Sequence, residues 1–216
     1  DIVAERYNVS RDYQDEYSLQ SQKRMAAAQE KGLFEDEIVP MATKMRVVNR
    51  ETGEEAVVDA TVAGDGCNRP ETTAGGLAKL KPVFAAKGSV TAGNSSQTSD
   101  GAGALILASE KAIKTYGLKP LARFVSFAAR GVAPEIMGIG PIEAIPAALK
   151  YAGLSLSDLG WIELNEAFAA QALAVIETCK LDPAKVNPMG GAIALGHPLG
   201  ATGAIRAATV VHALQR

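Results

Sequence analysis

From Ala102 onward the chain alternates between runs that favour strands and runs that favour helices, and this alternation limits the fold more than any other feature. Ala102 to Ala108 is a continuous apolar run of the kind a buried strand carries. Ser109 can cap a helix that stops near Gly117, and Pro120 marks a boundary. A strand is then predicted over Leu121 to Ala128, a helix over Ile142 to Tyr151, and a strand over Trp161 to Leu164. A helix over Phe168 to Cys179, a turn from Asn187 to Pro198 and a helix from Gly200 to Leu214 complete the pattern. Strands that alternate with helices build a parallel or mixed sheet with covered faces, so an α/β protein is expected.

The first half reads differently. Ser10 is a candidate N-cap, and Asp12, Asp15 and Glu16 put negative charge where the helix dipole favours it. Lys23, Arg24 and Lys31 lie toward the other end, and Gly32 is a natural stop. Tyr13 and Tyr17 are spaced to share a face of that helix. Glu37 to Val39, Met45 to Val48 and Ala56 to Val62 are short β-favouring runs, with Gly53 in a polar turn between the last two. Residues 63 to 101 are rich in loops, which suits a binding surface better than a linker.

A chain of 216 residues can bury a sizeable core in one large domain or two small ones. Its net charge of −2 offers no electrostatic case for nucleic acid or an acidic membrane surface. No run of 18 apolar residues suggests a membrane span, and no secretory signal pattern is visible. Cys67 and Cys179 are the only cysteines; they form neither a disulfide framework nor a metal spacing, so a reducing compartment is expected. The start at Asp1 and the stop at Arg216, inside a helical pattern, read as cuts in a longer polypeptide.

Three segments carry candidate chemistry. Asn165-Glu166-Ala167-Phe168-Ala169 follows a predicted strand and opens a helix, where α/β sheets bind ligands. Asn165 there is compatible with a ligand or water contact, although an ordinary N-cap is the commoner job of an Asn at such a position. The stretch from Gly190 to Gly203 holds five glycines in fourteen residues, which permits close approach by a ligand. His197 lies in its tightest part and could take a proton or support an oxyanion; a structural histidine in a glycine-rich turn fits the same pattern. Thr91 to Ser96, followed by Asp100-Gly101-Ala102, offers hydroxyls and backbone amides to a ligand, or caps the next helix. His212, in mid-helix, reads as packing. No phosphate loop, no completed GxGxxG at Gly138-Ile139-Gly140, no GxSxG and no metal-ligand spacing occurs.

Together these blocks resemble the thiolase family. The matching stretches are Ala4 to Tyr7 with Ser10-Arg11, Asp65-Gly66 with Arg69-Pro70, Leu77 to Pro82, Thr91 to Ser96, Met137 to Pro141, Asn165 to Ala169 and Gly190 to Gly203. The resemblance implies a five-layered αβαβα thiolase fold, of which this chain would hold an incomplete share. Residues 1–97 would be the later part of the coenzyme A-facing loop domain. Residues 98–118 would end the N-terminal half, and residues 119–216 would form most of the C-terminal half without its last strands, leaving an exposed edge. It also decides between the alternatives left open for Asn165 and His197. His197 matches the histidine that activates the family's nucleophilic cysteine and binds the thioester oxygen. Asn165 matches the asparagine that holds the water sharing that oxyanion site. Arg69, Phe84, Ala92, Ser96, Ala167 and Phe168 match positions that line the coenzyme A and pantetheine tunnel, whereas Gly76 stands where some members carry a coenzyme A-contacting serine.

The implied activity is acyl transfer: thiolytic cleavage of 3-ketoacyl-CoA, or the reverse condensation, through an acyl-cysteine, as in fatty acid β-oxidation. The Asn94 to Gln97 and Met137 to Gly140 blocks lean toward that class. The alternatives are a biosynthetic acetoacetyl-CoA thiolase and a non-catalytic thiolase-like protein that binds coenzyme A or lipid. Coenzyme A and acyl-CoA would be substrates, with no permanently bound cofactor and no metal. A homodimer or homotetramer is implied for the full-length protein, in the cytoplasm or, in a eukaryote, in the peroxisomal or mitochondrial matrix. Cys67 and Cys179 match neither of the family's catalytic cysteines. Cys179 is expected to be buried and inert, and the 216 residues by themselves are expected to be inactive.

Overall fold

The computed structural model describes residues 1–216. Two N-terminal helices, α1 (Ile2–Arg6) and α2 (Arg11–Glu30), precede a hairpin of β1 (Met41–Val48) and β2 (Glu55–Val62). Helices α3 (Ala74–Ala78), α4 (Glu110–Tyr116), α5 (Gly140–Ala152), α6 (Ala169–Cys179), α7 (Ala192–Leu195) and α8 (Thr202–Ala213) follow, with short 3-10 turns at Pro134–Ile139 and Leu156–Asp158.

Helix α6 is the centre of the core. From Ala169 to Ile176 its residues are apolar all round except Gln171, and all eight are buried, as expected of a helix covered on every side. One flank packs with Leu164, Leu181 and Val186, the other with Val9 and Ile139. A third cluster joins Met25, Ala28 and Phe34 to Met189 and Ala194.

Helix α2 starts where Ser10 accepts a hydrogen bond from the Tyr13 amide, and the chain leaves it through Gly32 at a φ of +65°. Its buried face is polar: Gln14, Asp15, Ser18, Ser21 and Gln22 lie inward with Met25 and Ala28. Several of these side chains serve loop backbone rather than an apolar core. Gln14 donates to the Val9 carbonyl, Gln22 accepts from the Arg69 amide, and the neighbouring Arg24 donates to the carbonyls of Val186, Asn187 and Pro183. Asp15 and Arg24, expected to complement the helix dipole, are committed instead to side-chain and loop contacts; Asp15 pairs with Arg11 at 2.8 Å and accepts from Asn94.

The only sheet is the antiparallel β1–β2 ribbon, in the register Met41↔Val62 through Val48↔Glu55. Strand β1 begins at Met41, before the expected Met45, while Glu37 and Ile38 fold into a turn bonded to the Phe34 carbonyl. Ala102 to Ala108 and Leu121 to Ala128 do not form strands. They run as segments without ladder partners, with Ile106 90% and Phe124 73% exposed. A strand exists only through hydrogen bonds to a neighbour, and no segment of residues 1–216 pairs with them. The expected strand at Trp161 to Leu164 is reduced to one parallel bridge, Ile162↔Val186. Helices α5, α6 and α8 lie within two residues of their expected bounds, whereas the stretch expected as a turn from Asn187 to Pro198 contains the short helix α7. No helix is long and apolar enough to cross a membrane.

Candidate active site

Two turns meet at the N-terminal end of α6. The first, Asn165 to Phe168, is held by a side chain acting as a strand partner. Asn187, at a φ of +45°, accepts from the Leu164 amide at 2.8 Å and donates to the Leu164 carbonyl at 2.7 Å. The loop from Asn94 to Ser96 then pairs with the far side of the turn. The Ala169 amide donates to the Asn94 carbonyl and the Ser96 amide to the Ala167 carbonyl, each at 2.9 Å. Asn94 is fully buried and donates to Asp15 on α2, which anchors the loop. Helix α6 begins only at Ala169. Asn165 is therefore not its N-cap, and its side chain is free for another task.

The second turn carries His197. Helix α7 ends at Gly196, whose φ of +94° disfavours any side chain and whose missing Cβ leaves room for Ser99 and Cys67. The His197 amide donates to the Gln97 carbonyl at 2.9 Å. The half-buried imidazole then projects between the turns, with Nε2 3.2 Å from Nδ2 of Asn165 and Nδ1 2.7 Å from Oγ1 of Thr202. Oδ1 of Asn165 is buried without a protein partner. Burial, and behind it the Arg206 guanidinium, push the His197 pKa below its ordinary value, which favours the neutral base.

Glu166 joins the two turns to α2, a role that no sequence pattern announces. It is 1% exposed. Oε1 accepts from Tyr17 at 2.9 Å and Asn187 at 2.8 Å; Oε2 accepts from Ser21 at 2.7 Å and the Ile193 amide at 3.2 Å. Four donors converge on one carboxylate, an arrangement that satisfies a buried charge without a salt bridge. Its place beside Asn165 is the only sequence signal.

A second polar cluster lies behind the histidine. Arg206 on α8 pairs with Glu163 at 2.9 Å, and Trp161 donates to the same carboxylate at 2.7 Å. Burial raises the Glu163 pKa despite Arg206. Glu37, which accepts from Thr209, is pushed up to about 7 by burial.

The residues expected to line a coenzyme A tunnel are partly assembled. Ser95 bridges Phe168, so Ser96 and Ala167 sit together beside the two turns. The Phe84 ring meets the Phe168 ring edge-on, with centroids 5.9 Å apart, although Phe84 is largely exposed. Ala92 and Arg69 are exposed, with the Arg69 amide held by Gln22. Neither cysteine hydrogen-bonds to His197. Cys179 ends α6, half-buried, with a pKa raised by burial and then by Glu143. Cys67 lies beside Gly196, its carbonyl accepting from Gln97. No group of three or more His, Cys, Asp or Glu side chains is placed to hold a metal ion.

Residues 1–111 match the family model described as thiolase, N-terminal domain, and residues 118–216 match that described as thiolase, C-terminal domain. The human peroxisomal 3-ketoacyl-CoA thiolase is 51% identical over 214 residues, which are 99% of this chain and 49% of that protein. Human mitochondrial 3-ketoacyl-CoA thiolase, crystallised with CoA, is 46% identical and superposes with a TM-score of 0.87 over 99% of this chain and 51% of its own. A Bacillus anthracis acetyl-CoA acetyltransferase gives a TM-score of 0.89 at 44% identity, over 99% and 52%. The path of the chain is thus that of the thiolase fold, even where its sheet ladders are unformed. The chain spans about half the length of the curated relatives it matches.

Proposed function

The chain belongs to the thiolase family, and from that premise we propose that it supplies the oxyanion-binding half of an acyl-transfer site that cleaves 3-ketoacyl-CoA with free coenzyme A. The observation that carries this is the 3.2 Å approach of Asn165 Nδ2 to His197 Nε2. In this reading Nε2 takes the proton of a cysteine thiol, and the thiolate attacks the ketone carbonyl of the substrate. As the carbon–carbon bond breaks, its electron pair passes to the departing thioester enolate, and the thioester oxygen that gains charge is met by the imidazolium N–H and by a water held by Asn165, each worth about 3 kcal/mol of barrier. A non-catalytic reading is disfavoured because both side chains are present and converge.

We assign the approach of coenzyme A to Ser96, Ala167, Phe168, Phe84, Ala92 and Arg69. Supporting this are the Ser95–Phe168 bridge, the edge-on Phe84–Phe168 contact and the complex that the mitochondrial relative forms with CoA. The division at residues 97 and 118 into loop domain, end of the N-terminal half and C-terminal half stays part of the proposal, as does a homodimer or homotetramer. A location in the cytoplasm, or in the peroxisomal or mitochondrial matrix of a eukaryote, is proposed on the peroxisomal name of the human relative. The His197 ring hydrogen-bonds to Asn165 and Thr202 and to neither cysteine, and Cys67 and Cys179 match neither catalytic cysteine of the family, so residues 1–216 assayed by themselves are expected to show no thiolytic turnover.

The test is thiolysis by the full-length protein carrying this chain, with four-carbon and longer 3-ketoacyl-CoA substrates. Turnover of the longer substrates is expected. A strict four-carbon preference would refute the 3-ketoacyl class and leave the biosynthetic one, and absence of any turnover would refute acyl transfer.

A further inference from the structure

Thr202 opens α8, is buried, and brings its hydroxyl to 2.7 Å from Nδ1 of His197. We propose that Thr202 is a positioning residue that holds His197 in the tautomer with its proton on Nδ1, so that Nε2 is the basic nitrogen. The catalytic meaning of this rests on the acyl-transfer reading above; the tautomer itself does not.

A neutral imidazole has one donor nitrogen and one acceptor nitrogen. Asn165 presents Nδ2 to Nε2, and an amide nitrogen only donates, so Nε2 accepts. Nδ1 then carries the hydrogen and requires an acceptor. The Thr202 hydroxyl can accept because its single hydrogen has its own destination, the Pro198 carbonyl at 3.1 Å. The bonds run in one direction: Asn165 Nδ2–H to Nε2, Nδ1–H to Thr202 Oγ1, and Oγ1–H to Pro198 O. No two hydrogens face each other.

The Thr202 side of this wiring serves both states of the base, whereas the Asn165 Nδ2–H bond to Nε2 is given up when Nε2 takes its proton. When Nε2 takes a proton, the S–H bond of the thiol breaks, an Nε2–H bond forms, and the ring becomes doubly protonated. Nδ1–H continues to donate to Thr202, so nothing on that side rearranges as charge develops. The ring is also held between α8 and the turn at Asn165, which keeps Nε2 aimed at one point. With valine at 202, Nδ1–H would face a methyl group in a buried site, and the unmatched donor would drive the proton to Nε2.

The experiment uses the full-length protein with 15N-labelled histidine rings, the His197 signals being those lost in His197→Gln. Long-range proton–nitrogen correlation is expected to show a protonated Nδ1 and a lone-pair Nε2 in the parent protein. Thr202→Val is expected to move the proton to Nε2, and Thr202→Ser to restore the parent pattern. A proton on Nε2 in the parent protein, or on Nδ1 in the valine variant, overturns the proposal. Should the valine variant not fold, the parent spectrum alone decides. In thiolysis, Thr202→Val is expected to lower kcat by about 10- to 100-fold with little change in KM, and Thr202→Ser to recover most of it. A parent protein with the Nδ1 proton but no thiolytic turnover would retain the tautomer and refute only the acyl-transfer reading.

Discussion

The carboxylate of Glu166 fills the space that a Cβ on Gly191 would occupy; an added methyl there would fall inside the carboxylate group. Gly191 adopts an extended φ of −122° that any residue can reach, so glycine is required for room and not for conformation. The pair locks the turn of Asn165 to the loop of His197, and Tyr17 and Ser21 fasten both to α2.

Gly191→Ala is accordingly expected to destabilise the protein by about 1–3 kcal/mol, the usual cost of overpacking. It should also lower turnover, because Glu166 cannot move without shifting Asn165. Urea unfolding and steady-state thiolysis check this, and a stable, fully active alanine variant would contradict it.

Glu166→Gln keeps the shape but replaces an acceptor oxygen by an amino group. The new amino group faces one obligate donor, Asn187 Nδ2–H or the Ile193 amide, beside a hydroxyl that can turn to accept, so a loss of roughly 1–3 kcal/mol is expected from the unmatched buried group. The Tyr17 phenol, held well above its ordinary pKa first by burial and then by the Glu166 carboxylate, should titrate lower in this variant. Ultraviolet titration of the tyrosines reads that shift.

Asn165→Ala is expected to reduce kcat by about 100- to 1,000-fold, the scale set by removal of one oxyanion donor. His197→Ala should cost more, because it removes base and donor together. The double variant should be little worse than His197→Ala alone, since groups acting as a unit are not additive. Multiplying effects would contradict a shared site.

Glu37 sets a stability slope. Its carboxyl is pushed from 4.5 to about 7 by burial, so the folded protein holds a proton there that the unfolded chain has lost. Its contribution is fully present below about 4.5 and disappears as pH rises through about 7. Because the group is partly solvent-screened, the expected span is on the order of 1 kcal/mol. His197 acts oppositely: its lowered pKa means that stability falls as pH drops below the ordinary histidine value. Glu37→Gln should flatten the slope between pH 4.5 and 7 and raise Tm at pH 8; an unchanged Tm there counts against the buried-acid account.

Arg69 is an exposed residue assigned to the approach of coenzyme A. Arg69→Ala is expected to raise KM for coenzyme A roughly threefold to tenfold while leaving kcat nearly unchanged, the signature of lost uniform binding. A selective fall in kcat would move Arg69 out of that role.

Local signals were legible wherever the chemistry is local. Ser10 and Gly32 bound α2 because capping needs only neighbouring residues, and α5 stops at Gly153 for the same reason. The blocks around Asn165 and His197 could be found in the sequence, since turns of this kind demand particular residues in order. That the two side chains share one site followed only from the family resemblance and not from the residues' own pattern, because 32 positions of chain separate them and their 3.2 Å approach depends on α2 and the loop at Asn94. Glu166 is an ordinary neighbour of Asn165 until folding aims four donors at it. Ala102 to Ala108 and Leu121 to Ala128 have strand-like composition, yet composition supplies only one side of a ladder. Hydrogen bonds between strands join residues far apart in sequence, so whether such a run becomes a strand was decided by the tertiary structure and not by its own residues.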